Sequence, residues 1–192
     1  MHAHRHHGTV PGPRDIAGLR SFDAYECAEE RGVRIRFQPM TDLGVRSHLI
    51  THNATIVVDR DLPETGRNDE ITHQLHHTLI RRRFWENRRS YEARVWIAAV
   101  RRLIPLAVLI IAIQSVLDPG TGTATAEATA DLLGVLPSTL RLRVSILNSR
   151  ELTGDIVNIL ARLTWPHDYV HAPLECLYDT ATTRWQRAWR LR

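Results

Sequence analysis

The sequence feature that most constrains this fold is an apolar stretch in the middle of the chain. Residues 103–116 are predominantly aliphatic and include Pro105 and Gln114 as interruptions. A helix needs roughly 20 apolar residues to cross a bilayer, so this stretch is too short for a membrane span. It therefore predicts a helix buried in a protein core, and no membrane partner.

Composition and cysteine usage narrow the class of protein further. The 192 residues are 43% hydrophobic and 24% charged, which excludes collagen-like, low-complexity and disulfide-scaffold proteins. The two cysteines, Cys27 and Cys176, do not indicate a disulfide framework, and the first residues lack the apolar core of a secretory signal. We expect a cytoplasmic protein.

The N-terminal part of the chain predicts a small sheet between helices. Residues 1–14 are rich in His, Pro and Gly, and we expect them to be disordered. Residues 17–31 repeat apolar side chains at helical spacing, and Gly32 ends that helix. Three strand-like runs follow, at 33–37, 47–51 and 55–59, and a helix begins near Arg67.

Beyond residue 84 the pattern is helical almost throughout. The helices are predicted at 89–113, continuous or broken at Pro105, and at 124–133, 137–147 and 152–163. A small N-terminal sheet followed by helices is an α+β fold. We divide the chain into a disordered 1–14, a core at 15–117 and a helical region at 118–192.

The most informative residues are two histidines on the predicted helix after the third strand. His73 and His77 are four positions apart, so their rings project from one face and can ligate a single Zn²⁺. Zincin helices add a Glu directly after the first His as general base, and here that position is Gln74. A solvated, His-rich helix face is the alternative interpretation.

A second segment gives the histidine pair a context. Residues 91–105 carry Glu92, the pair Ala98-Ala99 and a Leu-Ile-Pro ending at Pro105. With the strand and the His pair before it, this segment resembles the ImmA/IrrE family of zinc metallopeptidases, in particular the short versions from actinobacteria and their phages. The resemblance covers residues 33–147.

The resemblance implies a zincin-like fold that binds Zn²⁺ through His73, His77 and the carboxylate of Glu92. Glu86 is the other acidic candidate for the third ligand. The resemblance also implies a protein substrate, a DNA-binding helix-turn-helix repressor whose cleavage switches a prophage, mobile element or stress regulon.

Gln74 is the departure from the family pattern that matters most. An amide can hydrogen-bond a water molecule but cannot take its proton, and loss of a general base costs about 10²–10⁴-fold in rate. Three explanations stay open: an engineered change, a natural pseudo-enzyme, or substitution by another carboxylate such as Glu70. We therefore expect metal binding, with turnover absent or very slow.

The other histidines receive no ligand role. His76 lies one position off the ligand face, so we expect it behind the ligands or in solvent. His48 and His52 sit on or beside strands. His167 and His171 are four apart, but Pro166 argues against a second metal helix.

A different class of function is suggested by residues 126–143, which resemble a helix-turn-helix unit. Arg141 and Arg143 on its second helix would be available to phosphates, which makes a non-catalytic regulator that binds DNA or a repressor the alternative function. Two helices packed in the enzyme-like body are the simpler interpretation, and nucleic acid is a possible partner that we do not favour.

Arginine supplies every basic side chain of the protein. The chain has 25 basic residues and a net charge of +4, and eight arginines lie between residues 81 and 102, with Phe84, Trp85 and Trp96 among them. These arginines bracket Glu92, so the excess charge is a local feature beside the candidate metal site. Trp185 and Trp189 predict an apolar stripe packed on the body.

Overall fold

The computed structural model describes residues 22–40 and 46–166, and these residues form an α+β fold, as predicted. The strands are β1 (Arg34–Gln38), β2 (Ser47–Ile50), β3 (Thr55–Asp59), β4 (Ala124–Thr125) and β5 (Leu163–Thr164). The helices are α1 (Ala24–Glu30), α2 (Glu64–Leu79), α3 (Arg88–Leu103), α4 (Leu106–Ser115), α5 (Ala126–Leu133), α6 (Pro137–Ser145) and α7 (Gly154–Leu160). The predictions for residues 1–14 and 17–21, His167, His171, Cys176, Trp185 and Trp189 lie outside the described residues.

The main sheet has three strands in the order β1-β3-β2, and its strand positions match the prediction to within one residue. Every residue of β3 is buried because β1 pairs parallel to it on one side and β2 antiparallel on the other. Ile56 and Val58 of β3 pack with Ile71 and Leu75 of α2 and with Ala28 of α1. This cluster places α1 and α2 on one face of the sheet.

The turn from β3 into α2 is held by an arginine that reaches back across it. Arg67 donates to the carbonyl of Leu62 at 2.9 Å and to the carbonyl of Arg60 at 2.7 Å. Helix α2 begins at Glu64, three residues before the predicted start, and Pro63 stands at its N-cap. A proline fits there because the first helical N–H groups need no intrahelical acceptor.

Pro105 breaks the predicted long helix into α3 and α4, which are bent by 56°. Among the described residues, no single helix is long and apolar enough to cross a membrane, and only this bent pair meets that test together. Leu109 and Ile113 of α4 are fully buried, in a cluster with Ala126 of α5 and Leu140 of α6. Packing thus joins residues on both sides of position 117, while the division into regions at that position stays a prediction.

The two helices of the helix-turn-helix-like segment are present, but its second helix is fastened to the core. Arg143 on α6 is 2% exposed, donates to the carbonyl of Ile104 at 2.8 Å and pairs with Glu151 at 3.0 Å. The prediction that Arg143 is available to phosphates is wrong, because its guanidinium binds Ile104 at the α3–α4 break and Glu151 in the loop before α7.

Asp69 of α2 caps the N-terminus of α6 from a distance of almost 70 residues in sequence. Its carboxylate accepts hydrogen bonds from the backbone N–H of Leu136 and from the hydroxyl of Thr139. An acidic side chain beside a helix N-terminus also interacts favourably with the helix dipole. Burial nevertheless raises the pKa of Asp69 to about 7, since the two hydrogen bonds offset only part of the desolvation.

The raised pKa of Asp69 makes the stability of the protein depend on pH in a specific direction. Below about pH 7 the folded state retains a proton that the unfolded chain releases near its ordinary pKa of 3.8. Stability from this residue therefore rises as the pH falls from 7 towards 4. The side chain in Asp69→Asn cannot titrate. Between pH 7 and pH 4 we therefore expect the difference in free energy of unfolding between the wild type and Asp69→Asn to change by about 1 kcal/mol per pH unit.

Urea unfolding at pH 5, 6, 7 and 8 measures this difference, with the Asn variant losing relative stability on acidification. Asp69→Ala is the matched control for the capping contacts, because it leaves the N–H of Leu136 and the hydroxyl of Thr139 without an acceptor. We expect Asp69→Ala to be destabilised by about 2–3 kcal/mol near pH 5. Parallel pH profiles for the wild type and Asp69→Asn would contradict the assignment.

Candidate metal centre

Helix α2 carries its histidines on a face that is buried against α3. His73 is 6% exposed and His77 is partly buried, one helical turn further along. Their Nε2 atoms are 3.1 Å apart, as the four-residue spacing predicts for rings that turn towards a common point. The pair is therefore a converging one and not a solvated helix face.

Glu92 of α3 brings a carboxylate oxygen to the same point. Its Oε2 lies 3.4 Å from Nε2 of His73 and 3.2 Å from Nε2 of His77. Ligands at 2.0–2.1 Å from a tetrahedral zinc ion stand about 3.3–3.4 Å from one another. The three observed distances are close to those edges, so the residues present fit a metal ion. Among the described residues, these three form the one group of His, Cys, Asp and Glu side chains arranged in this way.

Glu86, the alternative third ligand, is engaged elsewhere. Its two carboxylate oxygens accept from Arg94, at 3.0 Å from Nε and 2.7 Å from Nη2, and one also accepts from the backbone N–H of Arg83. The bidentate pair with Arg94 holds the pKa of Glu86 below its usual range. Glu92 is thus the acid that the fold brings to the histidines.

A tyrosine fixes which nitrogen of His77 carries the proton. The hydroxyl of Tyr91 donates to the backbone carbonyl of Ile80 at 2.9 Å, so its oxygen is left to accept from Nδ1–H of His77, 3.0 Å away. With the proton on Nδ1, the lone pair of Nε2 points towards His73 and Glu92. Such partners orient metal-ligating histidines and raise their basicity.

His73 is held neutral by its surroundings. Burial, with smaller contributions from His77 and His76, lowers the pKa of His73 to about 3. Its ring stacks on Trp96 with centroids 4.0 Å apart, which fixes the ring plane. The Nδ1 atom of His73 is buried and has no hydrogen-bond partner among the described residues. A neutral imidazole is the form that binds a metal ion.

The side chain of Gln74 belongs to a hydrogen-bonded chain that runs from α2 to β2. Its amide Nε2 donates to the hydroxyl of Ser47 at 2.8 Å, and that hydroxyl donates to Oε2 of Glu70 at 2.6 Å. Burial raises the pKa of Glu70, although Ser47 and Arg46 act against it. Glu70 is not among the donor atoms that converge with the histidines.

The remaining histidines lie apart from this cluster of donors. His76 is 8% exposed and its Nδ1–H donates to the carbonyl of Thr72 at 2.8 Å, so of the two positions expected for it, behind the ligands or in solvent, the second is wrong. The side chain is buried because position 76 faces α3 and α1 on a helix covered from several sides. His48 and His52 are exposed.

The sequence did not predict the roles of three residues of the site. Tyr91 directly precedes Glu92, and Trp96 follows Glu92 by four positions, so helical periodicity could have placed Trp96 beside His73. Ser47 carries no local signal, since its role depends on the antiparallel pairing that brings β2 beside α2.

We expect Tyr91→Phe to weaken binding of divalent transition metals by about 10–100-fold, because the Nδ1 proton of His77 loses its acceptor while the ring is kept. Competition with a fluorescent chelator measures the affinity for Zn²⁺ and Co²⁺. Tyr25→Phe, on α1 and away from the site, is the matched control and should bind like the wild type. Unchanged affinity in Tyr91→Phe would show that the hydroxyl does not orient His77.

Chemically, the cluster offers two neutral imidazole nitrogens and one carboxylate oxygen to a single point between α2 and α3. That donor set can hold a divalent cation, and the adjacent Gln74 offers hydrogen bonds but no base. Comparison with known proteins found no matching family model, no matching curated protein and no matching solved structure.

Proposed function

We propose that the chain is a zincin-like, zinc-binding protein of the ImmA/IrrE type that engages a partner protein. The observation that carries the proposal is the convergence of His73, His77 and Glu92 at donor-to-donor distances of 3.1–3.4 Å. The order of elements around them, a buried strand, a helix with the histidine pair and a second helix with the acid, agrees with the family resemblance.

Zinc is the ion that this donor set favours. Three protein ligands made of two imidazoles and one carboxylate, with a fourth position left open, are the pattern of catalytic zinc sites. Calcium and magnesium prefer sets made entirely of oxygen ligands. The partly exposed Glu92, beside the buried His73, leaves one side of the cluster accessible to a further ligand.

Gln74 limits what chemistry the site performs. When bound, zinc supplies Lewis-acid polarisation of a carbonyl group. The chain's own contribution is to hold His73 and His77 neutral and oriented, through burial, Trp96 and Tyr91. The amide of Gln74 cannot accept a proton, so peptide hydrolysis by this chain is absent or very slow. The partner proposed from the resemblance is a DNA-binding helix-turn-helix repressor in the cytoplasm.

A second candidate function is favoured by the hydrogen bonds of Gln74. The amide donates to Ser47, which donates to Glu70, so a neutral donor at position 74 is integrated in the fold. That arrangement suits a non-catalytic regulator, a pseudo-peptidase that binds a repressor without cutting it. The buried Arg143 weighs against direct DNA contact by that side chain of α6.

The zinc proposal predicts one zinc ion per chain and its loss in His77→Ala. Removing one of three protein ligands breaks the site, whereas His48→Ala, at an exposed histidine on β2, removes an imidazole outside it. Metal content by mass spectrometry after dialysis compares the wild type with the two variants. Equal zinc in His77→Ala and the wild type, or none in the wild type after zinc loading, would overturn the proposal.

The peptidase and pseudo-peptidase functions differ in their response to Gln74→Glu. If the chain descends from a working peptidase, the carboxylate restores a general base and cleavage of a helix-turn-helix repressor should rise by about 10²–10⁴-fold. The readout is a time course of repressor cleavage on a gel. Stoichiometric repressor binding without cleavage by either form would establish the non-catalytic function.

A further inference from the structure

The seam between α2 and α3 has a second side, away from the metal ligands, and it forms an open groove of about 510 Å³. Ile80, Ile97 and Ala98 line its floor, and none of the three metal-ligand candidates reaches it. A smaller cavity of about 100 Å³ continues the groove towards α1, and His76 and Arg102 line both. We call the two together the arginine groove.

The arginine groove is surrounded by four arginines, Arg31, Arg94, Arg101 and Arg102. None of the described residues that line it is acidic. Arg94 is paired with Glu86, and Arg101 lies 3.8 Å from Glu151. Arg31 and Arg102 have no carboxylate partner among the described residues. Arg102 instead lies over the ring of Phe22 at 5.0 Å, which keeps its guanidinium at the groove.

The lining distinguishes between the anionic partners that arginines attract. Single-stranded nucleic acid is bound by stacking bases on exposed aromatic faces, but the floor here is aliphatic, and Phe22 is covered by Arg102. A lipid surface is met by protruding segments, whereas this surface is concave. An aliphatic floor between cationic walls complements a peptide with apolar side chains along one face and carboxylates along its edges.

We propose that the arginine groove docks an acidic amphipathic helix of the partner protein, aliphatic face inward. Arg94 and Arg102 are eight residues apart on α3, which spans about 12 Å and matches about two turns of a docked helix. Aliphatic side chains at i, i+3 or i+4 and i+7 would then lie on Ile97, Ala98 and Ile80. This proposal adds the chemistry of the partner's binding segment to the proposed function. It rests on that function in one respect, that the partner is a protein.

The test uses a fluorescein-labelled helical peptide of about 14 residues, made of leucine and glutamate with the leucines on one face. A scrambled peptide of equal composition has no apolar face. Fluorescence anisotropy with the full chain should show about tenfold tighter binding of the amphipathic peptide. Equal binding of the two peptides, or no binding of either, would overturn the proposal.

Variants locate the binding surface. We expect Arg102→Glu to weaken peptide binding by about tenfold because it reverses a charge at the wall of the groove. Ala98→Glu should weaken binding similarly because it places a negative charge on the apolar floor. Arg36→Glu is the matched control, since Arg36 is exposed on β1 and lines neither cavity. Thermal melts check that each variant folds, and Ala98→Glu carries the test if Arg102→Glu does not fold. Equal weakening by Arg36→Glu would show non-specific attraction and overturn the proposal.

Two further measurements separate this proposal from its alternatives. A single-stranded oligothymidylate that binds more tightly than the peptide and displaces it would assign the groove to nucleic acid. His77→Ala lies outside the groove, so it should keep peptide binding even where zinc is lost. Failure of zinc binding with intact peptide binding refutes only the metal proposal, and the converse result refutes only the groove.

Discussion

Burial of α2 is the constraint on which the rest of the structure depends. This single helix packs on the sheet, on α1 and on α3, and reaches α6. An unbroken run of its residues is buried, and most of them are polar: Asp69, Glu70, Thr72, His73, Gln74 and His76. Because a buried polar group without a partner is costly, the neighbouring elements have to supply donors and acceptors at fixed positions.

The partners of these side chains explain how distant parts of the chain are held in register. Asp69 fixes the start of α6, and Ser47 of β2 joins Glu70 to Gln74. Helix α3 places the carboxylate of Glu92 beside the imidazoles of His73 and His77, and it stacks the indole of Trp96 on His73. Among the described residues, Nδ1 of His73 is buried without a hydrogen-bond partner, as are Oδ1 of Asp69 and Nη1 of Arg143. A site that holds two neutral imidazoles against a carboxylate gains stability when a cation binds, because binding to the folded state stabilises it.

Local patterns were sufficient for the parts of the fold that depend on periodicity. The strands were predicted from strand-like runs, of which 33–37 alternates apolar and basic side chains, and the α3–α4 break follows from Pro105, because a proline cannot continue the hydrogen-bonding of a helix interior. His73, His77 and Glu92 were found from helical spacing and family resemblance. The start of α2 was placed too late because its first turn is polar. The roles of Ser47, Asp69 and Arg143 could not be predicted, since each depends on a partner 8 to 70 residues away that only the tertiary fold brings near.

The same burial that keeps the histidines neutral also bears on why an amide stands at position 74. A hydroxyl has one proton, and Ser47 gives its proton to Glu70, so Ser47 can only accept from position 74. Gln74 supplies the required N–H, whereas an ionised glutamate there would offer only acceptors and would place a second carboxylate on the same hydroxyl. Two neighbouring carboxylates in a buried setting do not ionise independently, because the charge of one raises the pKa of the other. A glutamate at position 74 would therefore be a neighbour of Glu70 whose ionisation the charge of Glu70 opposes, which makes Glu70 the residue that most directly affects the basicity gained in Gln74→Glu.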